Sequence, residues 1–206
     1  MEPDAVEIRV VGCLIEKQRT TPDVYPLTLN ALRLACNQST NRDPVVDYDE
    51  NTIRAGIERL VQRKWATLAS WSNRRSMKYR QTLDAALGLD EAELSVMAVL
   101  MLRGSQTPGE LKARTERLHR FGDMEQLGAT IERLAGRELV ARLERRPGQR
   151  EERYAQLLGE ASEQAEQVEE RAAAPDDDRI DRIDRIEREL RELRSAVQAL
   201  REELGT

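Results

Sequence analysis

The sequence predicts a mostly α-helical fold with small β-hairpins: two tandem winged helix-turn-helix domains followed by a C-terminal coiled-coil helix. Three observations lead there. First, the chain repeats itself. An apolar helix over 5–18 is followed by Thr21-Pro22, IERL at 57–60 and KYRQ at 78–81, and a helix over 91–103 is followed in the same order by Thr107-Pro108, IERL at 131–134 and RYAQ at 153–156. A tandem duplication is the simplest account. Second, aromatic residues make up 3% of the 206 and charged residues 34%, the composition of small helical domains with solvated faces rather than of a large buried sheet. Third, the last segment carries apolar residues spaced alternately by three and four, the heptad pattern of a coiled coil. The boundaries that follow are 1–87 and 88–158 for the two winged domains, 159–178 for an acidic, alanine-rich linker and 179–206 for the coiled-coil helix.

In the first repeat Val6, Val10, Cys13, Leu14 and Ile15 recur at helical spacing up to the polar turn at Thr20-Thr21-Pro22. A second helix follows Pro26 through Leu27, Leu29, Leu32 and Ala35. The stretch NQSTNRDPVVD is rich in turn formers and has no period, so it reads as loop. A third helix starts after Asp49, whose carboxylate can accept from the unpaired N–H groups of the first turn. Ile53, Ile57, Leu60 and Val61 form its inner stripe, which leaves Asn51, Ala55, Glu58, Arg59 and Gln62 outward, flanked by Arg54 and Arg63. WATLASW then alternates as a strand, SNRRS turns and MKYRQTL returns.

Helix, helix, helix and basic-tipped hairpin is the order of a winged helix, whose third helix is the one offered to a major groove. From Arg63 to Arg80 there are six basic residues, Arg63, Lys64, Arg74, Arg75, Lys78 and Arg80, and no acidic one. The expected nucleic-acid contacts are therefore Asn51, Arg54, Arg59 and Gln62 on the third helix and those six cations on and before the wing. The competing reading is a solvated hairpin whose edge is protected by charge.

The second repeat is tidier and less basic. Thr107-Pro108-Gly109-Glu110 is a capping box with proline at the first helical position, and Asp123 with Gln126 is placed to cap the next helix in the same way. Leu127, Ile131 and Leu134 make the inner stripe, and the outward face becomes Glu125, Ala129, Glu132, Arg133 and Gly136. Carboxylates there repel phosphates. The hairpin tip holds Arg145, Arg146 and Arg150 beside Glu144, Glu151 and Glu152, which makes those arginines the weaker candidates.

The net charge of −5 is unevenly spread: residues 1–87 sum to +2, 88–158 to zero and 159–206 to −7. Cys13 and Cys36 lie 23 residues apart with no CxxC, and read as two buried free thiols rather than a disulfide or a metal pair. The acidic amino-terminal stretch and the short apolar runs argue for a cytoplasmic protein with no membrane segment. Catalysis has no support in the pattern: the single histidine, His119, has no nucleophile nearby, and there is no P-loop, GxGxxG or HExxH, so neither an enzyme, a metal nor a cofactor is expected.

The strings GCLIEKQRTTPDVYPLTLNALRLACNQSTNRDPVVDYDE, MLRGSQTPGELKART and RRPGQREERY closely resemble the YceH family of bacterial proteins, over about Val6 to Leu158. The resemblance implies two tandem winged-helix domains. It brings no activity with it, so no functional residue is transferred. Two functions from different classes stay open: a regulatory protein that binds double-stranded DNA through the first domain, and a protein-interaction scaffold with no DNA binding of its own. The basic first wing favours the former; the acidic second face and tail favour the latter.

Ile183, Ile186, Leu190, Leu193, Val197, Leu200 and Leu204 form the heptad core, and pairing two such helices in parallel sets Arg182 against Glu187 and Glu189 against Arg194. The alternative is an amphipathic helix folded back on its own chain. If the helix dimerises the protein, Leu193→Glu places a carboxylate in a desolvated seam, at a cost of several kcal/mol unless the helices part. Light scattering should then show dimer becoming monomer; a wild-type chain already monomeric at micromolar concentration would refute the pairing.

Overall fold

The computed structural model describes residues 2–69, 77–143 and 151–159. Arg74, Arg75, Arg145, Arg146, Arg150 and the heptad positions Ile183 to Leu204 lie outside the described residues. The chain divides into two units, Met1–Ala165 and Glu166–Thr206, and everything described belongs to the first. Among the described residues the fold is mostly helical, with small antiparallel sheets and no helix long and apolar enough to cross a membrane.

Helix α1 (Ala5–Thr20) begins at an Asp4 capping box: the Asp4 side chain accepts from the Glu7 N–H at 2.8 Å and the Glu7 carboxylate accepts from the Asp4 N–H at 3.2 Å. Strand β1 (Leu27–Thr28) leads into α2 (Leu29–Cys36), with Thr28 accepting from the Ala31 N–H at 3.3 Å. Helix α3 (Glu50–Gln62) starts at Asp49, which accepts from the Thr52 N–H at 2.7 Å, as its sequence predicts. Strands β2 (Ala66–Ala69) and β3 (Lys78–Gln81) form the hairpin. Two elements depart from the sequence pattern. Leu27-Thr28 is extended rather than helical and pairs with Tyr79 and Lys78, making a three-stranded sheet of order β1-β3-β2. A short helix α4 (Leu83–Leu87) follows β3, with the buried Gln81 side chain accepting from the Leu83 N–H at 2.7 Å.

The second repeat has α5 (Glu91–Arg103), α6 (Pro108–Thr115), α7 (Met124–Gly136), β4 (Val140–Leu143) and β5 (Arg153–Gln156). The Thr107–Glu110 capping box is present. At α7 only half of the expected pair forms: Asp123 accepts from the Gln126 N–H at 2.8 Å, but the Gln126 side chain accepts from Gly122 rather than from its cap. An isolated bridge between Gln106 and Tyr154 occupies the place that β1 has in the first repeat.

The backbone repeats in detail. The Thr82 N–H donates to the Trp65 carbonyl at 2.8 Å and the Leu157 N–H to that of Leu139 at 2.9 Å; Trp65 and Leu139 themselves donate to Leu60 and Leu134. The buried Gln156 accepts from the Leu158 N–H at 2.7 Å, as Gln81 does two residues onward in its own repeat. The terminal glutamine common to KYRQ and RYAQ thus fastens the chain as it leaves each hairpin.

The two repeats share one continuous core. Helix α1 is enclosed from Glu7 to Ile15 and α5 from Glu93 to Leu102, on every face of each helix. They run antiparallel: Gly12 lies against Met101 and Leu102, while Arg19 beyond it pairs with Glu91 at 3.0 Å. A Cβ at Gly12 would stand 3.1 Å from the Leu102 Cγ and Cδ2 and from the Met101 Cβ, so only glycine permits this approach unadjusted. Gly12→Val should therefore overpack the seam and destabilise the unit by about 1–3 kcal/mol. Denaturant unfolding would check this, and an unchanged midpoint would show that the helices part without cost.

Candidate nucleic-acid interface

The three-residue stripe Ile53, Ile57 and Leu60 is fully buried, as the wheel predicts, but Val61 is only partly so. Gly56 completes the inner face instead, set so close to α1 that a Cβ there would fall 2.8 Å from Val6 Cγ1. Asn51, Arg54, Ala55, Glu58 and Gln62 lie toward solvent, as does Lys64 just beyond the helix. Arg54 pairs with Glu50 at 2.5 Å, one turn back on the solvated surface. In the hairpin register Thr67 faces Arg80 and Ala69 faces Lys78, so Lys78 and Arg80 share the outer face of the sheet, with Arg80 exposed and Lys78 half-buried.

Arg59 and Arg63 have a different placement from the outward one the wheel gives them. Both reach across to the start of α1. Arg59 Nε donates to Glu7 at 3.1 Å and its Nη2 to Asp4 at 2.5 Å, and Arg63 Nε donates to the other Glu7 oxygen at 2.8 Å. Arg63 also lies over the Trp65 ring, 5.9 Å from its centroid. Glu7 is 2% exposed, and a buried carboxylate needs such charge-assisted partners. The same clamp recurs at α5. Arg133 Nε donates to Glu93 at 3.2 Å and Nη2 to Asp90 at 3.0 Å, and Arg137 reaches the second Glu93 oxygen at 3.4 Å. Asp-x-x-Glu at 4–7 and 90–93, followed in each repeat by the arginine of IERL and a second arginine four residues after it, is the sequence signal that marks this clamp.

A second buried ionic cluster ties the loop after α2 to the core. Arg42 donates to both Glu16 oxygens, at 3.1 and 2.6 Å, and to the Ala35 carbonyl at 3.1 Å. Asn37 holds Tyr48 through both main-chain groups, accepting from its N–H at 2.9 Å and donating to its carbonyl at 2.8 Å. The Asp43 N–H donates to the Leu102 carbonyl at 2.9 Å, and Arg103 donates to the Asn41 side chain, so the loop also closes the end of α5. Cys13 and Cys36 are buried and free beside it.

His119 packs edge-on against Phe121 at 4.8 Å between ring centroids. The carboxylates of the clamps are held by arginine, and among the described residues no group of three or more His, Cys, Asp or Glu is placed to hold a metal.

These features define a mostly helical protein built from a duplicated helix-and-hairpin unit. Residues 4–149 match the family model described as "Protein of unknown function, DUF480". The chain is 48% identical over 169 residues to a UPF0502 protein of Azotobacter vinelandii, covering 82% of this chain and 75% of the relative. It is 44% identical over 189 residues to a UPF0502 protein of Shewanella amazonensis, covering 86% and 88%. It is also 45% identical over 164 residues to the UPF0502 protein YceH of Salmonella newport, covering 76% of each. The chain belongs to this YceH family, as its long strings indicate.

Burial pushes the Glu7 carboxyl up, but hydrogen bonds from Arg63, the Asp4 N–H and Arg59 outweigh it, so its pKa lies below the usual value. Glu16 is lowered against the same opposition, by Arg42 and Lys17. Both carboxylates bind protons less readily folded than unfolded. Their stabilisation is therefore complete above the ordinary carboxylate pKa and is lost as pH falls through the depressed folded values. Glu7→Gln should cost about 3 kcal/mol at neutral pH, the low end for breaking a buried pair because both arginines stay partly solvated. It should also flatten the acid limb of a stability profile run from neutral to about pH 3; an acid limb as steep as wild type would remove Glu7 from the linkage.

Proposed function

We propose that the chain is a regulatory protein that binds double-stranded DNA through its first repeat, with each repeat a winged helix-turn-helix domain. The sheet order β1-β3-β2 and the succession α1, α2, α3, hairpin support the winged-helix reading. No catalytic step and no cofactor enter the proposal.

The observation that carries it is the difference, position by position, between the two solvent faces. With the IERL strings in register, Glu50, Asn51, Arg54, Glu58, Gln62 and Lys64 stand opposite Met124, Glu125, Gly128, Glu132, Gly136 and Glu138. With the tyrosines in register, Arg80 stands opposite Ala155. The first set holds three cations and two carboxylates, for +1; the second holds three carboxylates and no cation, for −3. Lys64 and Glu138 occupy the same left-handed position after their helices, with φ of 61° and 55°, so the reversal of charge there happens on matched backbone. The inner stripes and the arginine clamps are kept in both copies. A reversal of charge on the solvent face, over an apolar inner stripe and a clamp present in both copies, is what a surface with its own partner produces. Phosphates favour the first face and are repelled by the second.

In this reading Asn51, Arg54 and Gln62 reach base edges and Lys64, Lys78 and Arg80 reach phosphates, together with Arg74 and Arg75. Arg59 and Arg63 hold the helix in place. The acidic second face, with Met124 45% exposed beside it, favours a protein contact for that half. A scaffold with no DNA binding is the second reading.

Fluorescence anisotropy with a short duplex at low salt tests the choice. Lys64→Ala with Arg80→Ala should weaken binding and flatten the salt slope by roughly 0.9 for each phosphate that is no longer neutralised. Arg74→Ala with Arg75→Ala should act likewise, and Arg145→Ala with Arg146→Ala should do less. Equal effects from both repeats would refute the asymmetry, and no duplex binding at low salt would leave the scaffold.

A further inference from the structure

The hairpins of the two repeats correspond strand for strand, Ala66–Ala69 with Val140–Leu143 and Lys78–Gln81 with Arg153–Gln156. Leu68 faces Tyr79 across the first hairpin as Arg142 faces Tyr154 across the second. The strand period then puts Met77, two residues before Tyr79, on the same face as Leu68 and diagonally across from it, and Glu152 likewise with Arg142. In the second repeat these two positions hold an ion pair, Arg142 with Glu152. In the first they hold leucine and methionine, 48% and 62% exposed. The pair continues the core face of the sheet past the core, since Tyr79 and its other neighbour Leu27 are buried. A lone exposed apolar side chain is ordinary on a protein surface. Two on one face, where the same backbone in the sister hairpin accepts opposite charges, are apolar at places where the fold does not demand it.

Charge narrows what covers them. No acidic residue lies between Arg63 and Arg80; Lys78 and Arg80 occupy the opposite face of β3, and Arg74 and Arg75 stand in the sequence between Leu68 and Met77. A second copy of this hairpin would bring cations against cations, and so would a basic peptide. The fitting partner is anionic at its rims and apolar between them. The minor groove of duplex DNA has that chemistry: phosphates line both edges, sugar C–H groups form the walls, and leucine and methionine are among the side chains that proteins seat there. We propose that the first hairpin enters a minor groove, with Leu68 and Met77 packed on its sugars and base edges between the phosphates that the hairpin's cations neutralise. The inference rests on the DNA reading and adds to it a groove and an apolar contact. The hairpin begins directly at the end of α3, the Trp65 N–H donating to the Leu60 carbonyl at 2.9 Å, which sets it beside the helix offered to the major groove. In the second repeat Glu152, at the place of Met77, would meet the same phosphates with a like charge.

The test uses the full-length protein and a fluorescein-labelled duplex with a central A·T tract, followed by anisotropy over a range of salt. Leu68→Arg with Met77→Glu installs the ion pair of the second repeat on matched backbone and leaves the net charge unchanged. Binding should fall about tenfold, the scale of leaving two partly exposed apolar side chains uncovered, while the salt slope stays that of the wild type because the phosphate contacts are kept. Netropsin, which fills the minor groove of A·T tracts, should displace the wild-type protein, and this arm stands even where the double variant fails to fold. Wild-type affinity in a folded double variant, or wild-type binding unchanged on a netropsin-saturated duplex, would overturn the groove assignment and leave the DNA reading in place. No duplex binding by the wild type at low salt would overturn both.

Discussion

Helix α1 has no solvent face over most of its length, and this constraint shapes the rest of the unit. A helix enclosed on every side must find a partner for each face. It meets α5 where Gly12 removes a side chain, and α3 where Gly56 does the same against Val6. Its two enclosed charges then need satisfaction from far along the chain: Glu7 from Arg59 and Arg63, and Arg9 from the carbonyls of Cys36 and Pro44. Half-buried Glu16 is met by Arg42. These partners come from three separate stretches of chain, so the placement of α3, of the end of α2 and of the loop after it are all referred to one helix. Helix α5 repeats the arrangement with Glu93, Arg133 and Arg137, and the two enclosed helices pack on one another to make a single core from both repeats.

The clamp at the head of each of these helices combines three ordinary effects. The aspartate caps the first turn, the glutamate returns the bond to the cap N–H, and both carboxylates sit at the positive end of the helix dipole. Two arginines one turn apart, at the end of the third helix of the repeat, then neutralise the buried glutamate. Because the arginines belong to the helix that faces solvent, the clamp fixes how that helix is rotated relative to the core, and so which of its residues face solvent.

Much of this is legible in the sequence and some is not, for identifiable reasons. The long amphipathic helices follow from their apolar stripes, and α6 and α7 begin where Thr107 and Asp123 cap them. Leu27-Thr28 passes for the start of a helix because two residues carry no period of their own; their extended form is set by Tyr79 and Lys78, about fifty residues away. Helix α4 is five residues long and rests on the Gln81 side chain rather than on a stripe. The wheel misdirects Arg59 because it gives the direction of the Cα–Cβ bond, whereas an arginine head travels well beyond its Cβ and goes where a buried carboxylate draws it. Gly56 escapes notice on the inner face because a hydrophobic pattern does not register a residue chosen for its lack of a side chain. The Asn37 to Asp43 loop is recognisable as turn-forming, but the use of Arg42 as a buried cation is a property of Glu16, 26 residues earlier.

A count of basic residues overstates what a small domain offers to phosphate. The run from Arg63 to Arg80 holds six cations, yet Arg63 is committed to Glu7 and cannot leave without depriving a buried carboxylate of its partner. In the second repeat the subtraction goes further: Arg133 and Arg137 are held by Glu93, Arg142 pairs with Glu152, and Arg153 pairs with Glu110 at 3.0 Å. What then distinguishes the two repeats is the residue at matched positions, Lys64 against Glu138 and Arg80 against half-buried Ala155, and not their totals of arginine. The charge of the clamps is duplicated with the fold. Charge on the solvent face is under no such constraint from the core, and it is there, on matched backbone at Lys64 and Glu138, that the two copies differ in sign.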